Sequence, residues 1–169
     1  MFNFKKNIGN QLKSQAEMLG ACEKGLDNIE KLNDYELINR YIHFIDFAIA
    51  KNFPSNKFIK DNFDKALLEH NNIFVDAAIE KRNARQVVVV QGKSSGLLSY
   101  DGYTTADLYI RHDSSITIDC SRMSKVFISV YDNAKVKVFQ RDGASVYVYV
   151  HGNNCKIETD GEVMQRVVQ

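Results

Sequence analysis

From Ala106 to Glu158 the sequence falls into short runs in which a branched aliphatic residue occupies every second place. The runs are Ala106–Ile110, Ser114–Ile118, Ser124–Ile128, Ala134–Val138, Ala144–Val148 and Cys155–Glu158. Each opens on a small residue, and the gaps hold turn-formers such as Asp132-Asn133, Asp142-Gly143 and Gly152-Asn153-Asn154. Strict alternation is the signature of a strand with one buried face, and a fixed spacing of about ten residues means one strand-turn unit used repeatedly. Few folds accept such a pattern.

Two architectures do. An antiparallel meander or sandwich suits the Asp-Gly and Asn-rich turns. A β-solenoid with two strands per coil suits the small residue at the head of each unit, which would point inward at a corner too narrow for a large side chain. The solenoid is the preferred reading, with the meander as alternative. Either fold buries Leu108, Ile110, Ile116, Ile118, Val126, Ile128, Val136, Val138, Val146, Val148 and Ile157, each contributing on the order of 1.5–3 kcal/mol. In the solenoid every other unit stacks. One outer face then carries a row of Tyr109, Phe127 and Tyr147, with Arg111, Ser129 and Tyr149 beside it and Tyr131 and His151 beyond. The opposite face carries Thr117, Lys137 and Glu158, with Lys135 and Lys156 alongside. Exposed aromatic patches mark interfaces, whereas buried ones stabilise sheets, and both readings of the aromatic row stay open. The interface hypothesis rests on Tyr109, Arg111, Phe127, Tyr131, Tyr147, Tyr149 and His151.

The first half of the chain has helical periodicity. Ile8, Leu12, Ala16 and Leu19, with Phe4 one turn earlier, form one stripe that Gly20 can stop. Asp27 with Glu30, and Asn33 with Glu36, have capping-box spacing. The second box opens a helix with Leu37, Tyr41, Ile45 and Ala48 on one face, which must end before Pro54. Ser55 caps a further helix carrying Phe58, Ile59, Phe63, Ala66 and Leu67. Ile73-Phe74-Val75 is ambiguous between strand and helix, and the charged stretch Glu80 to Arg85 reads as a linker. Val87–Val90, Leu97–Tyr100 and Glu162–Val168 read as strands. The expected organisation is therefore α+β: a helical domain over 1–80 and a β-repeat domain over 86–169.

The formal net charge is +1, with 22 basic and 21 acidic residues, which argues against a nucleic-acid surface driven by bulk charge. Cys22, Cys120 and Cys155 are odd in number and lack metal or redox spacing, so a reducing compartment is expected, and Cys155 reads as a small core residue. The segment Met1–Lys6 lacks the apolar run of a signal peptide, and no stretch is long enough to span a membrane. The expected location is the cytoplasm, or a particle released by lysis.

Arg111-His112-Asp113-Ser114-Ser115 contains catalytic residue types, but they are adjacent on a turn, whereas hydrolase triads are assembled from separate elements. Turn capping by Asp113 and solvent exposure of His112 are the default. His112 and His151 would meet only if their coils stacked, with no carboxylate or cysteine spacing to complete a metal site. The turn glycines match no phosphate loop, and Lys5-Lys6 and Lys81-Arg82 are balanced by nearby acids. No catalytic, cofactor or metal residues are assigned.

The segments Tyr41–Phe47, Asn52–Asn56, Leu108–Ser114, Val130–Ala134 and Val148–Gly152 together resemble small proteins of phages and prophage-like mobile elements of gut and related bacteria. That family pairs a helical N-terminal part with a β-repeat C-terminal part. The resemblance covers most of the chain and transfers no activity. It implies a phage context, in which small non-enzymatic proteins serve as virion parts or as binders of host and defence proteins. The expectation is a non-enzymatic accessory protein that binds another protein through a solenoid face. A structural component of a phage particle, packing as a homo-oligomer, is the first alternative, and a carbohydrate-binding module using the aromatic row is the second.

Overall fold

The computed structural model describes residues 7–168, so Phe4 and Lys5-Lys6 lie outside the described residues. The chain divides into two compact units, Met1–Leu68 and Glu69–Gln169. Six α-helices precede a parallel β-solenoid, and the fold class is α+β.

Helix α1 (Ile8–Met18) is capped by the Asn7 side chain, and Gly20 follows it at φ 82°, the left-handed stop expected of glycine. After the short α2 (Glu23–Leu26), the Asp27/Glu30 capping box does not form. Asn28 takes a left-handed conformation and leads into a 3-10 turn at Ile29–Lys31, while Asp27 accepts instead from the Asn28 amide and Glu30 pairs with Lys13 at 3.2 Å. The Asn33/Glu36 box does form and opens α3 (Asp34–His43). The expected single helix breaks at Phe44 and resumes as α4 (Ile45–Lys51), which ends on a left-handed Asn52 ahead of Pro54. Ser55 caps α5 (Asn56–Asn62), accepting from the Phe58 N–H at 3.2 Å. The Asp64 carboxylate accepts from the Leu67 N–H and starts α6 (Lys65–His70), so this expected helix is also two pieces. Leu12, Ile29 and Leu37 form a small core with Phe53, Phe58 and Phe63 against it.

The solenoid begins earlier than the repeat suggests. Ile73-Phe74-Val75 is a strand, β1, and the first half of the charged stretch read as a linker, Glu80-Lys81-Arg82, lies in β2 (Ala78–Arg82). The compact units divide at Leu68/Glu69. There follow β3 (Gln86–Gln91), β4 (Ser95–Tyr100), β5 (Thr105–Ile110), β6 (Ser115–Cys120), β7 (Lys125–Tyr131), β8 (Lys135–Gln140), β9 (Ser145–His151), β10 (Lys156–Asp160) and β11 (Val163–Val168). Odd-numbered strands make one parallel sheet of six and even-numbered strands another of five. Strands adjacent in sequence never pair, which excludes the meander.

Through the regular part each residue lies beside the one twenty positions on: Thr105 by Lys125, Lys125 by Ser145, Ser115 by Lys135. Inward side chains of both sheets form one core, with Leu108, Ile118, Val126, Ile128, Val138, Val146 and Val148 at 0–1 % exposure. Ile157 alone of the expected set is only half-buried.

The corners explain the ten-residue unit. Gly92, Gly102, His112, Arg122, Asp132 and Asp142 all have positive φ, and two places after each stands a buried small residue: Ser94, Thr104, Ser114, Ser124, Ala134 or Ala144. The first regular repeat therefore starts at Thr104, not at Ala106, which is the first inward position of its strand. Two of the buried corner hydroxyls bond to nearby main chain: Ser94 Oγ donates to Gln91 O at 2.8 Å and Thr104 Oγ1 to Asp101 O at 2.9 Å. Cys155 packs partly buried against the same core, as expected of a small corner residue.

Candidate protein-interaction face

Alternation in β5, β7 and β9 turns every other side chain outward, and parallel pairing stacks those side chains in rows across the six-stranded sheet. All seven residues of the interface hypothesis lie on this outer face or at its edge. The rows differ from the expected ones by one strand position. Phe127 stands beside Tyr147, with Asp107 on one side and Met164 on the other. Tyr109 stands instead beside Ser129, in the row that continues to Tyr149 and Arg166. The third row holds Tyr131, His151 and Val168, with Arg111 at the same end of its strand.

Two ring pairs are stacked. Phe127 and Tyr147 have centroids 5.0 Å apart at 16°, and Tyr131 and His151 lie at 4.2 Å and 14°. Lys125 Nζ lies 5.4 Å from the Phe127 centroid and 5.9 Å from that of Tyr147, a shared cation–π contact. Tyr109, Phe127, Tyr131, Tyr147, Tyr149 and His151 are each half-buried. Arg111 is 4 % exposed, and its Nε lies 3.8 Å from an Asp132 carboxylate oxygen, so it supports the corner rather than offering a contact. Burial lowers the pKa of His151, which favours a neutral ring. Periodicity missed Met164, Arg166 and Val168, because the last coil is shorter and its phase cannot be counted from the heads.

The five-stranded sheet presents a different surface. Its outer rows follow the expected register: Leu97, Thr117, Lys137 and Glu158 in one, and Ser115, Lys135 and Lys156 in the next. Lys137 reaches Glu158 at 3.9 Å and Arg141 reaches Asp119 at 3.6 Å. The face has one aromatic, Phe139, with Lys137 and Arg141 over its ring at 5.2 and 5.5 Å. Such exposed pairs are worth little in stability, about 0–1 kcal/mol, and the face reads as solvated.

The Arg111–Ser115 turn joins coils. His112 N–H donates to Asp132 at 2.9 Å, its Nδ1 accepts from the Gly92 N–H at 3.1 Å, and the ring is half-buried rather than exposed. Asp113 accepts from Asn133 Nδ2 at 3.1 Å, and Ser114 Oγ donates to Gly92 O at 3.3 Å. His112 and His151 do not pair, because β7 lies between their strands. The Cys120 thiol, inside the core, is pushed up to about 12 by burial. A thiol so protonated is a packing group rather than a nucleophile. Among the described residues no cluster of three or more His, Cys, Asp or Glu could hold a metal, and no helix is long and apolar enough to cross a membrane.

Comparisons of the chain with protein-family models, with curated proteins and with solved structures find no match.

Proposed function

We propose that this chain is a non-enzymatic accessory protein of phage type that binds a protein of the host or of its defence systems. The binding surface is the outer face of the six-stranded sheet. The observation that carries this reading is the segregation of aromatic side chains: Tyr109, Phe127, Tyr131, Tyr147, Tyr149 and His151 lie on one outer face, against Phe139 alone on the other regular outer rows. Tyr and Phe combine large contact area with few rotatable bonds, so they dominate interface energetics. Parallel pairing holds them at fixed spacing on a rigid scaffold, which limits the ordering cost of binding.

The phage context comes from the resemblance of the Tyr41–Phe47, Leu108–Ser114 and Val148–Gly152 segments. A photo-crosslinking amino acid at Tyr149, and separately at Lys137, tests the face in cells that carry the natural partner. The same discrete adduct should form from Tyr149 and not from Lys137, and Tyr147→Ser should remove it. Adducts formed equally from both positions, or from Lys137 alone, would overturn the assignment.

A further inference from the structure

The outer face is not the only surface built for contact. Among the described residues, β10 and β11 each have a neighbour on one side only, so their outer edges carry backbone N–H and C=O groups that no described strand pairs. Repeat folds cover such ends, and an uncovered strand edge is a template for another chain. Here the end also exposes apolar side chains: Met164 is 53 % exposed, Val167 63 % and Val168 37 %. Val167 pairs with the inward-facing Val150, so it extends the core into solvent. The parallel order inside the sheet leaves open what approaches the edge.

The charges on the two terminal strands choose the occupant. Glu162 and Arg166 flank Met164 at equal distances on the outward side, and Lys156 and Asp160 flank Glu158 in the same way. All four flanking residues are exposed, and none forms an ion pair with another described residue. Reversing the strand about its centre exchanges Glu162 with Arg166, and Lys156 with Asp160. A two-fold copy therefore meets each edge with opposite charge opposite charge, while the central Glu158 is already held by Lys137 at 3.9 Å. Edges guarded only by repulsion carry one sign; these carry both, in self-complementary positions.

We infer that two copies of this chain dimerise end to end, β11 pairing antiparallel with β11 of the second copy about Met164. Glu162 then lies opposite the partner's Arg166 twice, Val163 lies opposite the partner's Gln165 toward the core, and Met164 meets itself. Directly opposed opposite charges are favourable in antiparallel pairs and like charges are not, which gives the test its sign. This edge adjoins the aromatic face and shares Met164 and Arg166 with its outer rows, but the dimer is read from solution mass and the partner from adducts at Tyr149, so either assignment can fail without the other.

The experiment measures the mass of the full chain in solution by light scattering at tens of micromolar, beside its melting curve. The wild type should run at twice 19.3 kDa. Arg166→Glu sets two pairs of like charges against each other and should give a monomer with an intact melt. Glu162→Arg makes the same clash from the other side and guards against a folding defect in the first variant. The double swap Glu162→Arg, Arg166→Glu should restore the dimer. A monomeric wild type would overturn the inference, as would a dimer indifferent to Arg166→Glu or a double swap that stays monomeric.

Discussion

Substituting Val136 and Lys137 separately by Asp tests the register at one peptide step. Val136 is 2 % exposed and points into the core, where no described cation reaches it, while Lys137 points outward from the same strand. In Val136→Asp the loss of the buried valine costs about 1.5–3 kcal/mol. Keeping the new carboxyl neutral at pH 7, against an ordinary pKa near 3.9, costs roughly 4 kcal/mol more. The sum, about 6 kcal/mol, is comparable to the whole stability of a domain, about 5–15 kcal/mol. Lys137→Asp removes one exposed ion pair and sets a like charge beside Glu158, for about 1 kcal/mol. Circular dichroism melts, with hydrogen exchange over 105–160 to localise the loss, should show Val136→Asp unfolding the solenoid and Lys137→Asp shifting the melt by a few degrees. The core variant should also regain stability on acidification to pH 4, where keeping its carboxyl neutral costs only about 0.5 kcal/mol. Equal melting of the two variants would refute the inward and outward assignment along β8, and with it the coil register.

Three further outcomes follow from the corners. Ser124 is fully buried and its hydroxyl has no hydrogen-bond partner among the described residues, whereas the sister positions Ala134 and Ala144 lack one altogether. Ser124→Ala should therefore raise stability by about 1 kcal/mol in denaturant titration, and Ser114→Ala, which loses the bond to Gly92 O, should lower it. Met123 has φ 48° where the next coil has Gly143. Met123→Gly should raise the melt by the equivalent of about 1 kcal/mol, and a lowered melt would show that the exposed thioether contributes more than the backbone relief. His112 has its pKa lowered by burial, then by Arg111, against a partial upward pull from Asp132, Asp113 and Asp76. The native state thus binds fewer protons than the unfolded one. This contribution is complete above the unfolded pKa near 6.5 and is lost as pH falls through the lower folded value. His112→Asn, which tolerates the left-handed backbone, should flatten the decline of melting temperature between pH 7 and pH 5, and an unchanged slope would refute it.

The part of the fold that reads from sequence is the part where one rule acts alone. From Ser114 to Val148 alternation, turn residues and small corner residues agree, and both core and register follow from counting. Ala106 misled because it is small and inward, as a corner residue is, while the true corner residue is the larger Thr104. Two residues of phase moved Tyr109 into the wrong row without changing which face it occupies. The first coils were hidden by composition: Glu80, Lys81 and Arg82 look like a linker, yet Ile79 and Ala84 supply the inward positions. Tertiary contact decided the rest. Arg111 looked available and is buried against Asp132, and the Asp27/Glu30 pair lost its capping role when Asn28 turned left-handed and Lys13 took Glu30.

The stacked rings of the six-stranded sheet either hold the fold together or hold a partner. The Phe127→Ser, Tyr147→Ser double variant separates the two. Stacking contributes about 0.5–1.5 kcal/mol beyond area and the Lys125 contact about 0.5–1 kcal/mol. Their loss should lower the melt by several degrees and leave a cooperative transition. Binding of the partner crosslinked from Tyr149, measured by calorimetry with the purified proteins, should fall by two orders of magnitude or more, as for a buried aromatic anchor. A collapsed melt would assign the rings to the core, and an unchanged affinity in a folded variant would contradict the proposed face.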